Sequence, residues 1–224
     1  MQLDRDQSSS SPDHLFPIPE SIPLFPLPSV VFFPKTYLPL HIFEPRYREM
    51  VADAALGGQC IGMVLLKEGW ERDYYANPAV FEVGCVGRIM SLEPLPDGRS
   101  NILLQGLQRF EIYEQSFEKS YRQASIALKL DDAAHAVDSR VRAELARLLG
   151  EYARVRNEGD VWREWFRSEV CDEVLVNTLS TTVDVTPLEK QFLLEADTIQ
   201  QRACRLVDLI QFKICEGNGV KGWD

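Results

Sequence analysis

The chain has no Gly-Lys dipeptide, no Cys-x-x-Cys pair, no run of lysine and arginine, and no long apolar stretch. Each absence removes a class of function. A phosphate-cradling loop leads into its helix through Gly-Lys-Ser/Thr, and Gly84 and Gly87 lie inside a strand pattern instead of between a strand and a helix. Histidine is scarce: His14, His41 and His135 stand far apart, too far to suggest a clustered ligand set. His41 and Glu44 form an H-x-x-E pair, but Pro45 follows where a second histidine would be needed. No Gly-x-Ser-x-Gly elbow occurs. Ser116-Phe117-Glu118-Lys119 matches Ser-x-x-Lys, but that short pattern lacks its companion motifs and falls in a β region. No catalytic set, metal site or cofactor is expected.

Positive charge is also in deficit. Lys and Arg number 24 against 34 Asp and Glu, a net charge of −10, and a duplex-binding surface would need a concentrated basic face. Nucleic acid is therefore not the expected partner. No apolar run approaches the roughly 20 residues of a membrane-spanning helix, and the opening MQLDRDQSSSSPDH has neither the basic nor the apolar region of a signal peptide. The five cysteines have mostly apolar neighbours, which suits small buried thiols in a reducing compartment. A cytoplasmic location without membrane contact is the expectation.

What is present divides by period. Residues 1–20 are polar and serine-rich, a leader too poor in apolar groups to order itself. From Ile22, short apolar bursts are cut by Pro23, Pro26, Pro28, Pro34 and Pro39, so strands here are short, bulged or at an edge. Val30–Phe33 and Tyr37–Ile42 are the expected pieces. Glu44-Pro45-Arg46-Tyr47 then opens a helix to about Leu56, with Tyr47, Met50, Val51 and Ala54 on one stripe and Gly57-Gly58 as its stop. Further strands are expected at Ile61–Leu66, Val80–Leu92 and Ile102–Leu107, and around Phe110–Ile112 and Ile126–Leu130, with a hairpin at Pro96-Asp97-Gly98.

Beyond Asp132 the spacing turns helical. Val141, Leu145, Leu148, Tyr152 and Val155 make one stripe, Val170, Val174, Leu175 and Leu179 another, and Ile199, Ala203, Leu206, Ile210 and Ile214 a third. Capping boxes are expected at Thr186–Glu189 and at Asp197–Gln200. The organisation expected is a leader (1–20), a β-rich part (21–131), a helical part (132–216) and a tail (217–224). Trp162, Trp165 and Phe166 fall at i, i+3 and i+4 between charges. They either dock their helix on the core or form an anchor for a partner, including a second copy of the chain.

Several ordered segments together resemble the substrate-binding domain of the ATP-dependent protease Lon. They are LPLHIFEPRYREMV at Leu38–Val51, VGCVGRI at Val83–Ile89, LPDGRSNILLQGLQRF at Leu95–Phe110 and EKQFLLE at Glu189–Glu195. The resemblance runs from about Ile22 to Ile214 and is most similar to a stand-alone bacterial form. It implies an α+β fold, a PUA-like β pseudo-barrel followed by a C-terminal helical bundle. It further implies a non-catalytic module for unfolded or partner proteins. No Walker motif follows Ile214 and no Ser–Lys protease part is present, so neither ATP hydrolysis nor proteolysis is carried over. Within the motif, Glu44, Arg46 and Arg109 are expected to fasten the Pro45 helix to the barrel, and Phe43, Tyr47 and Phe110 to be core. Leu24, Phe25, Phe32 and Phe33 are the expected contact residues for an extended peptide added at a strand edge. The alternative is an enzyme acting on a small molecule or by hydrolysis, with a site assembled from distant residues.

Overall fold

Proline sets the course of the first strands. In the computed structural model, which describes residues 16–72, 74–130, 136–156, 166 and 170–219, β1 (Ser21–Leu27) carries Pro23 and Pro26 yet lies between two neighbours. Its first half runs antiparallel to β6 (Gln123–Lys129), with Ser21 opposite Ser125. Its second half runs parallel to β3 (Cys60–Leu65), with Leu24 opposite Gly62. Burial on both faces explains why β3 is apolar throughout.

Antiparallel pairing continues from β3 to β4 (Val83–Pro94) and from β4 to β5 (Ser100–Ser116). The turn is the expected one: Gly98 sits at φ +81°, and Leu95 and Arg99 close the hairpin at 2.8 Å. At 17 residues β5 has room for two partners on its other edge: β2 (Tyr37–Ile42) against Ser100–Gln105, and β6 against Arg109–Ser116. The six strands therefore run β2-β5-β4-β3-β1-β6, and the β5–β6 pairing closes five of them into a ring. Register shifts at Val86/Gly87 and Ile89/Ser91 bend β4 where glycine had pointed to a bulge. Gly84 permits a close approach: a Cβ there would stand 2.5 Å from the Met63 carbonyl.

Helix α1 (Pro45–Leu56) packs the stripe Tyr47, Met50, Val51 and Ala54, all buried, against apolar residues of the strands. Helices with both ends among the described residues follow: α2 (Ser139–Arg156), α3 (Asp172–Thr182), α4 (Pro187–Leu194) and α5 (Ile199–Gly219). Their apolar faces join Val31, Phe33 and Leu65 in one core, while two further clusters fill the ring and the space under α1. Thr186 caps α4 as a full capping box with Glu189. The second box is displaced by one residue. Thr198, not Asp197, accepts the Gln201 amide, and the Gln201 side chain reaches back to the Asp197 amide. Both residues are good caps, so spacing alone did not separate them.

Buried polar groups stitch the helices to the strands. Arg109 of β5, fully buried, donates to the carbonyls of Leu194 (3.0 Å), Ala196 (2.5 Å) and Asp197 (3.1 Å). Those oxygens lie at the C-terminal end of α4, where carbonyls lack intrahelical partners and the helix dipole favours a cation. From α5, Arg202 donates to the Leu193 carbonyl at 3.0 Å and to Asn177, which in turn holds the Pro34 carbonyl at 3.0 Å. Gln191 donates to the Val83 carbonyl at 3.0 Å.

Three expectations change here. Residues Val30–Phe33 are not a strand but an irregular buried segment, pinned where Lys35 (φ +61°) and Thr36 exchange backbone bonds with Gly106. Arg109 fastens the α4–α5 junction, not the Pro45 helix. Of the cysteines only Cys60 and Cys85 are buried, while Cys171, Cys204 and Cys215 are exposed on helical segments.

Candidate functional site

The turn into α1 does more than start a helix. Pro45 occupies the first helical position and Glu44 the cap, but the Glu44 side chain does not cap. Its carboxylate instead accepts from Arg46 Nε at 3.0 Å and from the Tyr74 hydroxyl at 2.6 Å. Arg46 also donates to the Tyr74 carbonyl at 3.3 Å and lies 4.5, 5.0 and 5.9 Å from the ring centres of Tyr47, Tyr74 and Tyr75. Tyr47 leans on Phe25 of β1, centres 4.3 Å apart. One guanidinium thus organises three tyrosines from two distant parts of the chain, an arrangement a cation favours through the ring faces.

Opposite stands the turn between β5 and β6. Lys119 pairs with Asp53 of α1 at 2.6 Å, the Tyr121 hydroxyl donates to the same carboxylate at 2.7 Å, and Ser120 donates to Glu49 at 2.7 Å. Hydrogen bonds from Lys119 and Tyr121 hold the Asp53 carboxyl below its ordinary range, and the Asp53 bond raises Lys119 in turn. Arg122, 6% exposed, donates to the Pro78 carbonyl at 2.5 Å and to Gln115 at 3.3 Å. Between these walls opens a cavity of about 230 Å³, floored by Tyr47 and Arg122 and flanked by Tyr75 and Phe117, which are 88% and 49% exposed. Burial pushes the Tyr47 phenol well above its usual range and lowers Arg122 from that of a free guanidinium. Chemically this is a small aromatic cleft with three cations, suited to hold a side chain or chain end of another molecule.

The family model of the ATP-dependent protease La (Lon) substrate-binding domain matches residues 21–211. The chain belongs to the Lon substrate-binding domain family. Among its relatives, the Lon protease of Flavobacterium johnsoniae is 29% identical over 193 residues, covering 83% of this chain and 23% of that protein. The Lon protease of Anaeromyxobacter dehalogenans is 29% identical over 201 residues, covering 88% and 24%. The chain spans about a quarter of the length of the curated relatives it matches. Its fold is similar to the Lon N-terminal domain protein of Xanthomonas campestris (TM-score 0.63, 21% identity, 84% of this chain and 97% of that one). It is also similar to the N-terminal domain of Mycobacterium avium complex Lon protease (TM-score 0.66, 17% identity, 85% and 98%). This Lon-family chain is thus a mixed α+β protein built on a six-stranded sheet.

On that frame the residues expected at the site divide sharply. Leu24, Phe25, Phe32 and Phe33 are core: their side chains are buried and β1 lies between β3 and β6, so none is free to receive a peptide strand. Among the described residues the unpaired strand edge belongs to β2. Phe166 is half-buried against the helical core, under Arg142. Trp162 and Trp165 lie outside the described residues. Glu44, Arg46 and Tyr47 come together at the cleft, with Pro45 setting the turn, and Phe110 is core between Gly62 and Gly84. Phe43 is not core. It is 60% exposed, just past the last residue of β2, and stacks beside His41, itself exposed and bonded to Asn101 at 2.8 Å. Sequence reading missed Tyr74, Tyr75 and Arg122. The local signal was the Tyr-Tyr pair in the connection between β3 and β4, and nothing in the chain linked it to residues 117–122.

Proposed function

We propose that this Lon-family chain is a substrate-recognition module that binds apolar segments exposed by unfolded or partner proteins. The observation that carries the reading is the cleft itself. Aromatic rings stand exposed at its mouth, and its small volume admits one or two side chains of an extended segment but no folded surface. Exposed aromatic groups beside arginine are a common composition for protein contact. Closure of five strands supports a PUA-like pseudo-barrel for residues 21–131, and the shared helical core supports a bundle for 132–216. The module works by binding without nucleotide, in the cytoplasm, on polypeptide and not on nucleic acid or lipid.

Titration of the protein with a permanently unfolded, alkylated client and with the same client in its native form tests this. Preferential binding of the unfolded form, weakened by Tyr75→Ala and Phe117→Ala, is expected. Equal affinity for both forms would remove the reading.

A further inference from the structure

The cleft runs against the charge balance of the molecule. A chain of net charge −10 lines it, among the described residues, with Arg46, Lys119 and Arg122 and with no acid. Two of these cations are neutralised from behind, Arg46 by Glu44 at 3.0 Å and Lys119 by Asp53 at 2.6 Å. Arg122 is different. It is more than nine-tenths buried, and its acceptors, the Pro78 carbonyl and Gln115, are both neutral. A guanidinium brings five donors and a full charge, and burying that charge without a counter-ion is costly. Desolvation is the main reason its hold on its proton weakens; Tyr47 acts the other way and nearby Arg46 adds a smaller repulsion. The Tyr47 hydroxyl belongs to a residue of the same lining and has no hydrogen-bond partner among the described residues, and the two groups are near enough to perturb each other's titration. A cation without a counter-ion and a hydroxyl without a partner therefore line one cavity open to solvent. An anion accepts from both and supplies the missing charge.

We propose that the cleft receives a carboxylate carried by a polypeptide, seated between Arg122 and Tyr47, with an apolar residue of the same segment against Phe117 and Tyr75. The inference rests on the substrate-recognition reading above and specifies the chemistry that the site selects. The carboxylate accepts from the guanidinium in a charge-assisted bond, which arginine forms in planar, directional geometry. Aromatic walls around the anion favour a carboxylate flanked by apolar side chains over a phosphate in a hydrated backbone. A chain end and an Asp or Glu side chain present the same group.

Short dye-labelled peptides of one aromatic-rich sequence separate these sources by fluorescence anisotropy. One has a free C-terminal carboxylate, one a C-terminal amide, and one an amide with a single internal Glu. Either carboxylate peptide is expected to bind about tenfold or more tightly than the neutral amide, and the tighter of the two identifies the source. Arg122→Gln should cost about tenfold to a hundredfold. Because Arg122 also holds Pro78, Tyr47→Phe serves as the second variant. It removes only a hydroxyl, and a several-fold loss with an unchanged circular dichroism spectrum is expected. Equal binding of the neutral amide, full affinity in both folded variants, or displacement of the peptide by an equal concentration of single-stranded RNA overturns the proposal. If the unfolded client still binds in those cases, only the carboxylate inference falls; if it does not bind, the recognition reading falls with it.

Discussion

Replacing Arg109 by methionine tests whether the buried guanidinium holds the two halves of the fold together. Methionine keeps the unbranched stem and the buried volume but leaves three carbonyls, at Leu194, Ala196 and Asp197, without this donor. Each buried acceptor left unsatisfied costs about 1–3 kcal/mol. Relief from burying the charge offsets part of this, so a net loss of about 3–5 kcal/mol is expected. At about 2–4 °C per kcal/mol for a chain of this size, the melting temperature should fall by roughly 6–20 °C. Urea denaturation followed by circular dichroism gives the free energy, and hydrogen exchange gives its location. Amides of α4 and the start of α5 should exchange faster, while those of β2, paired to the far end of β5, should change little. Arg109→Lys should recover only part of the loss, since one ammonium cannot span carbonyls spread over residues 194–197. A methionine variant within about 1 kcal/mol of the parent, with unchanged exchange at α4, would refute the assignment.

Three further outcomes are expected. Thr186→Ala should cost about 1 kcal/mol in urea denaturation by removing the α4 cap, and no loss would mean that the box is idle. With a disulfide reagent at mildly alkaline pH, Cys171, Cys204 and Cys215 should react at once, and Cys60 and Cys85 only in denaturant. Burial excludes the reagent and pushes Cys60 up to about 11, so five thiols reacting at one rate would contradict the packing. Asp53 titrates below an ordinary carboxylate, so its tie to Lys119 and Tyr121 is complete above the unfolded value of about 4 and is lost as pH falls through the folded one. Carboxyl NMR shifts should show a depressed midpoint that returns to normal in Lys119→Gln, and a midpoint at or above the free value would dismiss the tie.

Features written in neighbouring residues were legible in the sequence. The α1 stripe, the Thr186 box and the α5 face each depend on contacts within a few residues, where helical period speaks directly. The hairpin at Gly98 was legible for the same reason. Ring closure was not legible in the spacing, and only the family resemblance implied a barrel, because closure depends on pairing β1 with β6, and on β5 exchanging one partner for another along a single edge. The prolines of Ile22–Phe33 suggested an open edge. In the fold the same prolines accompany a strand with two neighbours and a buried irregular segment, so the apolar residues there are core. The cleft was half legible. Glu44-Pro45-Arg46-Tyr47 drew notice as a motif, but its meaning depends on Tyr74 and Arg122, which approach only in three dimensions.

The closed ring also carries a cost in time. β1 is complete at Leu27, but its antiparallel neighbour ends at Lys129, about a hundred residues later. At roughly 5–20 residues per second, a nascent β1 waits roughly 5–20 s for the strand that shuts the ring. During that interval its apolar side chains and its edge are open to any other extended chain. Pro23 and Pro26 remove two amide donors from that strand, one on each edge. A strand whose ring closes so late must keep its own apolar residues from being bound in the meantime.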